Sequence, residues 1–247
     1  MKKLSKYLLK PFILLLGITI ISVFSSCKKY LDKSPLSDIN PTQAFQNFRN
    51  FQGFIEEMYN CVPIMTASTS HNNWNLGEDE YWEQDSRMFT NQLDLGNYFA
   101  WTGTVFGSYF RPGGNPSSTD RGQMGNLWGT AWYAIRKANI GIANLDQLKE
   151  ATAEEKNLIE GQLYFFRGFF HLFLLEYWGG LPYVDRVLPS DETPRVPRLS
   201  YHETAEKVND DLLKAEQLLP VNWDQTAAGA VTAGRNNFRA NKIMAMA

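Results

Sequence analysis

The sequence predicts an all-α fold, a stack of antiparallel helical hairpins interrupted by one long, aromatic-rich irregular insertion. Three observations predict it. Apolar residues recur every three or four positions in several separate segments, two capping boxes open helices, and Gly or Pro stops close them.

The N-terminus divides into three zones. Lys2, Lys3, Lys6 and Lys10 supply positive charge without an acidic residue, and Pro11 to Phe24 is an uncharged run of 14 residues. A membrane-spanning helix needs about 20 apolar residues, so the run reads as the core of a signal segment over residues 1–26. The small pair Ser25-Ser26 lets a peptidase reach the backbone, and Cys27 follows directly with a thiol for lipid attachment. Lipidation of Cys27 is therefore expected. Each buried CH₂ contributes ~0.8 kcal/mol, so more than one acyl chain would hold the protein durably on a membrane.

Cleavage before Cys27 leaves 221 residues with 20 basic and 26 acidic side chains, a balance of −6. An acidic chain of this kind argues against a nucleic-acid partner. With Cys27 lipidated, Cys61 has no second cysteine to pair with. Stability is then expected to come from packing, for which a 14% aromatic share provides the material.

Residues 27–39 form a polar tether, and 40–247 are read as a helical domain with an insertion over about 66–126. Asn40 and Pro41 suit the N-cap and first turn of a helix, with Gln43 placed as in a capping box. Phe45, Phe48, Phe51, Phe54, Ile55 and Met58 give it one buried stripe up to Pro63. From Thr66 to Gly125, Gly, Asn, Ser and Thr break every pattern. Disorder does not fit that stretch, because it holds Trp74, Tyr81, Trp82, Tyr98, Trp101 and Tyr109. A helical period returns through Leu127, Trp128, Ala131, Trp132, Ile135, Ala138, Ile142 and Leu145.

Thr152 and Glu155 form a capping box for the next helix, which stops at Gly179-Gly180 with Pro182 beyond. Its second half is apolar nearly all round, which only a helix walled in by neighbours tolerates. Ser200 and Glu203 cap a further helix with the stripe Ala205, Val208, Leu212, Ala215, Leu218 and Leu219, stopped by Pro220. A last helical pattern begins near Asn236 and still runs at Ala247, as in an N-terminal portion cut in mid-helix. Hairpins of this kind build tetratricopeptide-like arrays, although no fixed-period repeat is legible.

The chain has no dinucleotide fingerprint, P-loop, C-x-x-C, H-E-x-x-H or G-x-S-x-G. His71, His171 and His202 lie too far apart for ligand spacing. His171, on the apolar helix, reads as a hydrogen-bonded core residue and His202 as a solvated one. Arg167 is expected to pair with a buried carboxylate. The cluster Glu78, Asp79, Glu80, Glu83 and Asp85 offers either Ca²⁺ ligands or glycosidase carboxylates, against the simpler reading of a solvated acidic run. No cofactor or metal is expected.

The insertion's rings carry the stronger signal. Sugars present flat C–H faces that Trp and Tyr rings match. One stacked ring covering ~50 Å² contributes about 1 kcal/mol at ~25 cal/mol/Å². Two platforms with polar contacts total ~4–6 kcal/mol, a dissociation constant of roughly millimolar to tens of micromolar. The candidate ligand residues are Trp74, Trp82, Tyr98, Trp101, Tyr109, Asn72, Asn73 and Asp79, with Asn97 beside them. The opposing reading is that these rings pin the insertion to the helices.

Three segments together resemble the SusD/RagB family of nutrient-binding outer-membrane lipoproteins. They are Cys27 to Pro35; the run Gly161 to Phe170 with its close Tyr177-Trp178-Gly179-Gly180-Leu181-Pro182; and Arg198 to Pro220 followed by Gly234-Arg235. Gln162 stands where the family usually has Glu, and Gly168 where it usually has Ala. The resemblance implies a tetratricopeptide-like lipoprotein on the outer face of the outer membrane. It would sit as a lid on a TonB-dependent, SusC-like transporter and capture glycans, or in some members peptides. The competing readings are a lipid-anchored glycosidase using residues 78–85 and a purely structural partner of the transporter.

Overall fold

A computed structural model describes residues 43–62, 89–102, 127–189, 191, 195–234, 236 and 238–247. Among them every named element is helical: α1 (Phe48–Tyr59), α2 (Phe89–Asp94), α3 (Tyr98–Thr102), α4 (Leu127–Ala143), α5 (Ala153–Trp178), α6 (Tyr201–Leu218), α7 (Ala227–Ala230) and α8 (Lys242–Met246). Short 3₁₀ turns occupy Gln43–Phe45, Leu145–Gln147 and Trp223–Gln225. The signal segment, Cys27 and the tether lie outside the described residues.

α1 begins later than the sequence pattern placed it. Asn47, not Asn40, is its N-cap: the backbone there is extended, and the side chain accepts a bond from the Asn50 N–H at 3.0 Å. Extended backbone at this point forms an isolated parallel bridge to Glu150, whose N–H donates to Gln46 O at 3.0 Å. Phe45 is not lost to the core by this. Its ring packs edge-on to Phe51 and Phe54 at 4.9 and 5.0 Å, stapling the turn to the helix start. The last helix is also shorter than expected. Asn236 spends its side-chain amide on Asp224 Oδ1 and Gly229 O at 2.6 and 2.9 Å, so α8 waits for the Asn241 cap.

Both capping boxes form, Thr152 with Glu155 and Ser200 with Glu203. Gly179 ends α5 with φ 72°, a conformation that L side chains rarely adopt. Contacts step in opposite directions along α4 and α5: Gly141 meets Leu163 at one end, while Trp128 meets Trp178 at the other. The same holds for α5 and α6, where Gly161 meets Leu219 and Gly168 meets Leu212. Each pair is antiparallel. The two glycines and their tight contacts set how closely α6 approaches.

α5 is thus walled in by α4 on one side and α6 on another, with α1 touching it through Tyr59 and Phe166, rings 4.6 Å apart. Phe51, Phe166 and Phe170 are fully buried, as are Ile55, Met58 and Leu163. Burial of each such side chain stabilises the fold by ~1.5–3 kcal/mol. Cys61 is buried in this core, its thiol donating to Glu57 O at 3.3 Å. The insertion is not irregular throughout. Its described part holds α2 and α3, joined by a turn in which Gly96 has φ 67° and Asn97 donates to Gln92 Oε1 at 2.6 Å. Among the described residues no helix is long and apolar enough to cross a membrane.

Candidate functional site

The site is built around a segment that has no sheet to join among the described residues. Beyond Gly180 the chain runs without regular structure from Leu181 to Pro189 against α4, α5 and α6. Backbone polar groups buried without partners are costly, so this stretch needs donors and acceptors from elsewhere. Side chains supply most of them. Leu181 N–H donates to Thr204 Oγ1 at 3.1 Å and Val184 N–H to His171 Nε2 at 3.2 Å. Val184 O accepts from Asn139 Nδ2 at 2.8 Å, Asp185 O from Arg167 Nη1 at 3.1 Å, and Leu188 O from Arg136 Nη1 at 2.8 Å. Five helical positions, Thr204, His171, Asn139, Arg167 and Arg136, are therefore occupied by the segment's hydrogen-bond partners.

Arg167 is the hub. It lies in the apolar second half of α5 yet donates through Nε and Nη2 to both oxygens of Asp211 on α6, each at 2.6 Å. Nη1 reaches Asn139 Oδ1 at 3.1 Å as well as the Asp185 carbonyl. Burial opposes the guanidinium's charge, but the hydrogen bonds and charge of Asp211 outweigh it and hold the pKa above the usual value. The Tyr183 hydroxyl adds a short bond to Asp211. Burial and that carboxylate push the Tyr183 pKa up. The buried carboxylate expected for Arg167 is Asp211.

His171 is the core histidine the sequence reading expected, and its tautomer is fixed by both neighbours. Nδ1 lies 2.8 Å from the Arg167 carbonyl and donates to it; Nε2 accepts from Val184 N–H. Tyr183 stacks on the ring at 4.0 Å. Burial, with Arg167 against it, lowers the pKa to about 4 despite Asp211 and Asp185 nearby. The consequence is a pH-dependent stability with a definite sign. A depressed folded-state pKa contributes stability that is present above the ordinary value near 6.5 and lost as pH falls towards 4. Urea unfolding at about pH 7.5 and about pH 4.5 is expected to show a loss of ~2–3 kcal/mol that His171→Gln lacks. Equal acid sensitivity in the two proteins would sink that assignment.

The outer face of this arrangement is a groove of about 330 Å³, lined among the described residues by Trp132, Ile135, Arg136, Pro182, Val184, Arg186, Leu188 and Val196. α4 gives one wall and the 181–188 segment the other. Trp132 continues into an aromatic cluster at the end of the α4–α5 hairpin. Trp128 lies 5.6 Å from Trp132 and 5.2 Å from Trp178, all three half-buried, and Tyr177 follows at 6.0 Å from Trp178.

Of the residues the sequence singled out for ligand binding, Tyr98 is placed most fully. It is half-buried against the Leu127–Phe173 cluster, close to the same hairpin end, and burial pushes its pKa up to about 12. The backbone of Trp101 lies in α3. Trp74, Trp82, Tyr109, Asn72, Asn73 and Asp79 lie outside the described residues, as does the whole acidic cluster from Glu78 to Asp85. Among the described residues no group of three His, Cys, Asp or Glu side chains stands ready for a metal ion. His202 is solvent-exposed, as expected, with Glu206 3.4 Å away. Sequence reasoning missed the groove because Trp128 and Trp132 fit the helical stripe. A pointer existed: Trp128, Trp132 and Arg136 fall at steps of four, one line along α4, with a charge at its end.

The fold and site define a class: an all-helical scaffold presenting an aromatic groove, its wall held by buried polar side chains. The chain belongs to the SusD-like family, for a family model described as starch-binding and associating with the outer membrane matches residues 29–233. SusD-like protein P2 of Formosa agariphila is 28% identical over 102 residues, 41% of this chain and 20% of that protein. A crystal structure of a SusD-like protein from Bacteroides fragilis matches with a TM-score of 0.56 at 19% identity, covering 86% of this chain and 36% of that one. For a SusD-like carbohydrate binding protein from Bacteroides vulgatus the TM-score is 0.49 at 16% identity, covering 74% and 38%. The chain thus spans little more than a third of the solved structures it matches. The Bacteroides fragilis likeness shows the all-helical fold.

Proposed function

We infer that this protein is a non-catalytic, cell-surface glycan-binding lipoprotein. It is anchored through lipid on Cys27, captures oligosaccharides, and hands them to a TonB-dependent, SusC-like transporter in the outer membrane. The observation that carries this reading is the family match over residues 29–233, whose description joins starch binding to the outer membrane. The antiparallel pairing of α4, α5 and α6 supports a tetratricopeptide-like stack as the scaffold, which leaves loops and hairpin ends free to grip cargo. An open ring suited to stacking is present in the insertion: Phe99 is 90% exposed.

The ligand residues are proposed to be Trp74, Trp82, Tyr98, Trp101 and Tyr109, with Asn72, Asn73 and Asp79 as polar contacts. Isothermal titration against a panel of oligosaccharides is expected to give dissociation constants between roughly millimolar and tens of micromolar. Trp74→Ala, Trp82→Ala and Trp101→Ala are each expected to weaken binding about fivefold, the equivalent of ~1 kcal/mol per lost platform. Affinity indifferent to all three substitutions would remove the insertion from the binding site. Co-purification of a transporter barrel with the lipidated chain checks the partner.

A further inference from the structure

The groove between α4 and the 181–188 segment is set apart by its charge as well as its shape. Its walls are Trp132, Ile135, Pro182, Val184, Leu188 and Val196, and the charged groups among its described lining residues are the guanidiniums of Arg136 and Arg186. The chain as a whole is acidic, with a net charge of −2, so two arginines at one apolar opening are a local reversal of sign. Arg136 uses Nη1 on Leu188 O at 2.8 Å, which fixes the planar fork while other N–H donors stay uncommitted to that bond. Arg186 is 66% exposed and has Asp185 Oδ1 at 3.7 Å, longer than a charge-assisted hydrogen bond. Asp185 is not among the lining residues.

The volume sits at the small end of the ~300–1,000 Å³ typical of small-molecule sites, enough for one or two sugar rings. A neutral sugar seated there would leave Arg136 without a carboxylate among the described lining residues and Arg186 with only the exposed Asp185 at 3.7 Å. A carboxylated sugar supplies a counter-charge to both. The geometry points to a uronic acid residue of an acidic oligosaccharide as the occupant. Its flat C–H face lies on Trp132 and Pro182, its carboxylate lies between Arg136 and Arg186, and its hydroxyls face the open side. This rests on the glycan-binding reading and deepens it by naming an acidic class of cargo for the groove between α4 and the 181–188 segment.

The test is isothermal titration of the full chain with short oligomers of galacturonate, glucuronate and mannuronate, each beside its carboxyl-reduced neutral counterpart. At least one uronate oligomer is expected to bind about tenfold tighter than its reduced form. Arg136→Gln and Arg186→Gln are each expected to weaken it about tenfold, with no change for neutral sugars. Among the described residues Arg186 bonds no other element, so its variant reports on binding even if loss of the Leu188 contact loosens Arg136→Gln. Equal affinity for charged and reduced oligomers, or indifference to both arginine changes, overturns the uronate site. If neutral glycans still bind, glycan capture survives that outcome; if no glycan of either kind binds, both readings fall. Preferential binding of a tetrapeptide through its free C-terminal carboxylate, lost in the arginine variants, would replace the sugar by a peptide and overturn the proposal.

Discussion

Replacing Arg167 with Met is expected to lower stability by about 3–5 kcal/mol, the range for breaking a buried ion pair by removing one partner. The size follows from what is left behind. Asp211 is left in a site where it is 5% exposed, with only the Tyr183 hydroxyl still facing it among the bonds described above. The Asn139 Oδ1 and Asp185 carbonyl lose a donor as well. Met matches the length and apolar character of the helix face, so loss of packing contributes little. Urea unfolding followed by circular dichroism reads the change directly. Arg167→Met with Asp211→Leu is expected to recover part of the loss, because no unpaired charge is then buried. A single variant within 1 kcal/mol of wild type would show that the pair is not a stability element. The substitution is also expected to loosen the 181–188 segment and hence the groove wall, which faster hydrogen exchange at Val184 and Leu199 would report.

How much of this was legible in the sequence depends on how local the cause is. The two capping boxes were legible because each is decided within four residues: Ser200 and Glu203 bond one another's backbone, and nothing distant competes. The identity of Arg167 as a buried ion-pair member was also legible, since a guanidinium on an all-round apolar helix has few other solutions. Its partner was not, because Asp211 lies 44 residues away and reads as one acidic residue among several on α6. The start of α1 was misjudged for a related reason. Asn40-Pro41 and Asn47 are both acceptable caps by local chemistry, and the choice is made by the bridge to Glu150, about a hundred residues on. Likewise the helical pattern from Asn236 gave way to the bonds that Asn236 makes to Asp224 and Gly229.

The groove was least legible. It depends on an extended segment whose backbone is held by His171, Asn139, Arg167, Arg136 and Thr204, five residues on three helices. Each has an ordinary reading on its own. Gln162 shows the same effect: it forms reciprocal amide bonds with Gln52, at 3.1 and 2.9 Å, and accepts from the Tyr59 hydroxyl at 2.8 Å. A glutamate there would lack the amide that donates to Gln52. The Gln at this position is thus matched to its partners on α1, and the departure from the family's usual Glu carries a local compensation.

The second large effect is expected at Gly180, and it concerns space. Gly180 has no positive φ, so its backbone alone does not demand glycine. A Cβ there would stand 2.6 Å from Ser200 C and 2.8 Å from Tyr201 N, and closer still to Leu199 O. All three are backbone atoms, so no side chain can rotate away; the 199–201 strand of chain must move. That strand carries the Ser200 cap of α6 and the Leu199 N–H bond to Leu181 O at 3.0 Å, which starts the groove wall. Overpacking typically costs 1–3 kcal/mol, and a clash with backbone on one immovable side places Gly180→Ala at about 3 kcal/mol or above. Gly53 supplies the internal comparison. It is exposed on α1 with nothing within 4 Å of an added Cβ, so Gly53→Ala is expected to stabilise by ~0.5–1 kcal/mol through helix propensity. Thermal unfolding of the two single variants separates them by sign. A Gly180→Ala protein that melts with wild type would mean that the close approach of the α5 end to the α6 cap is not fixed in solution, and the groove would then have no rigid wall.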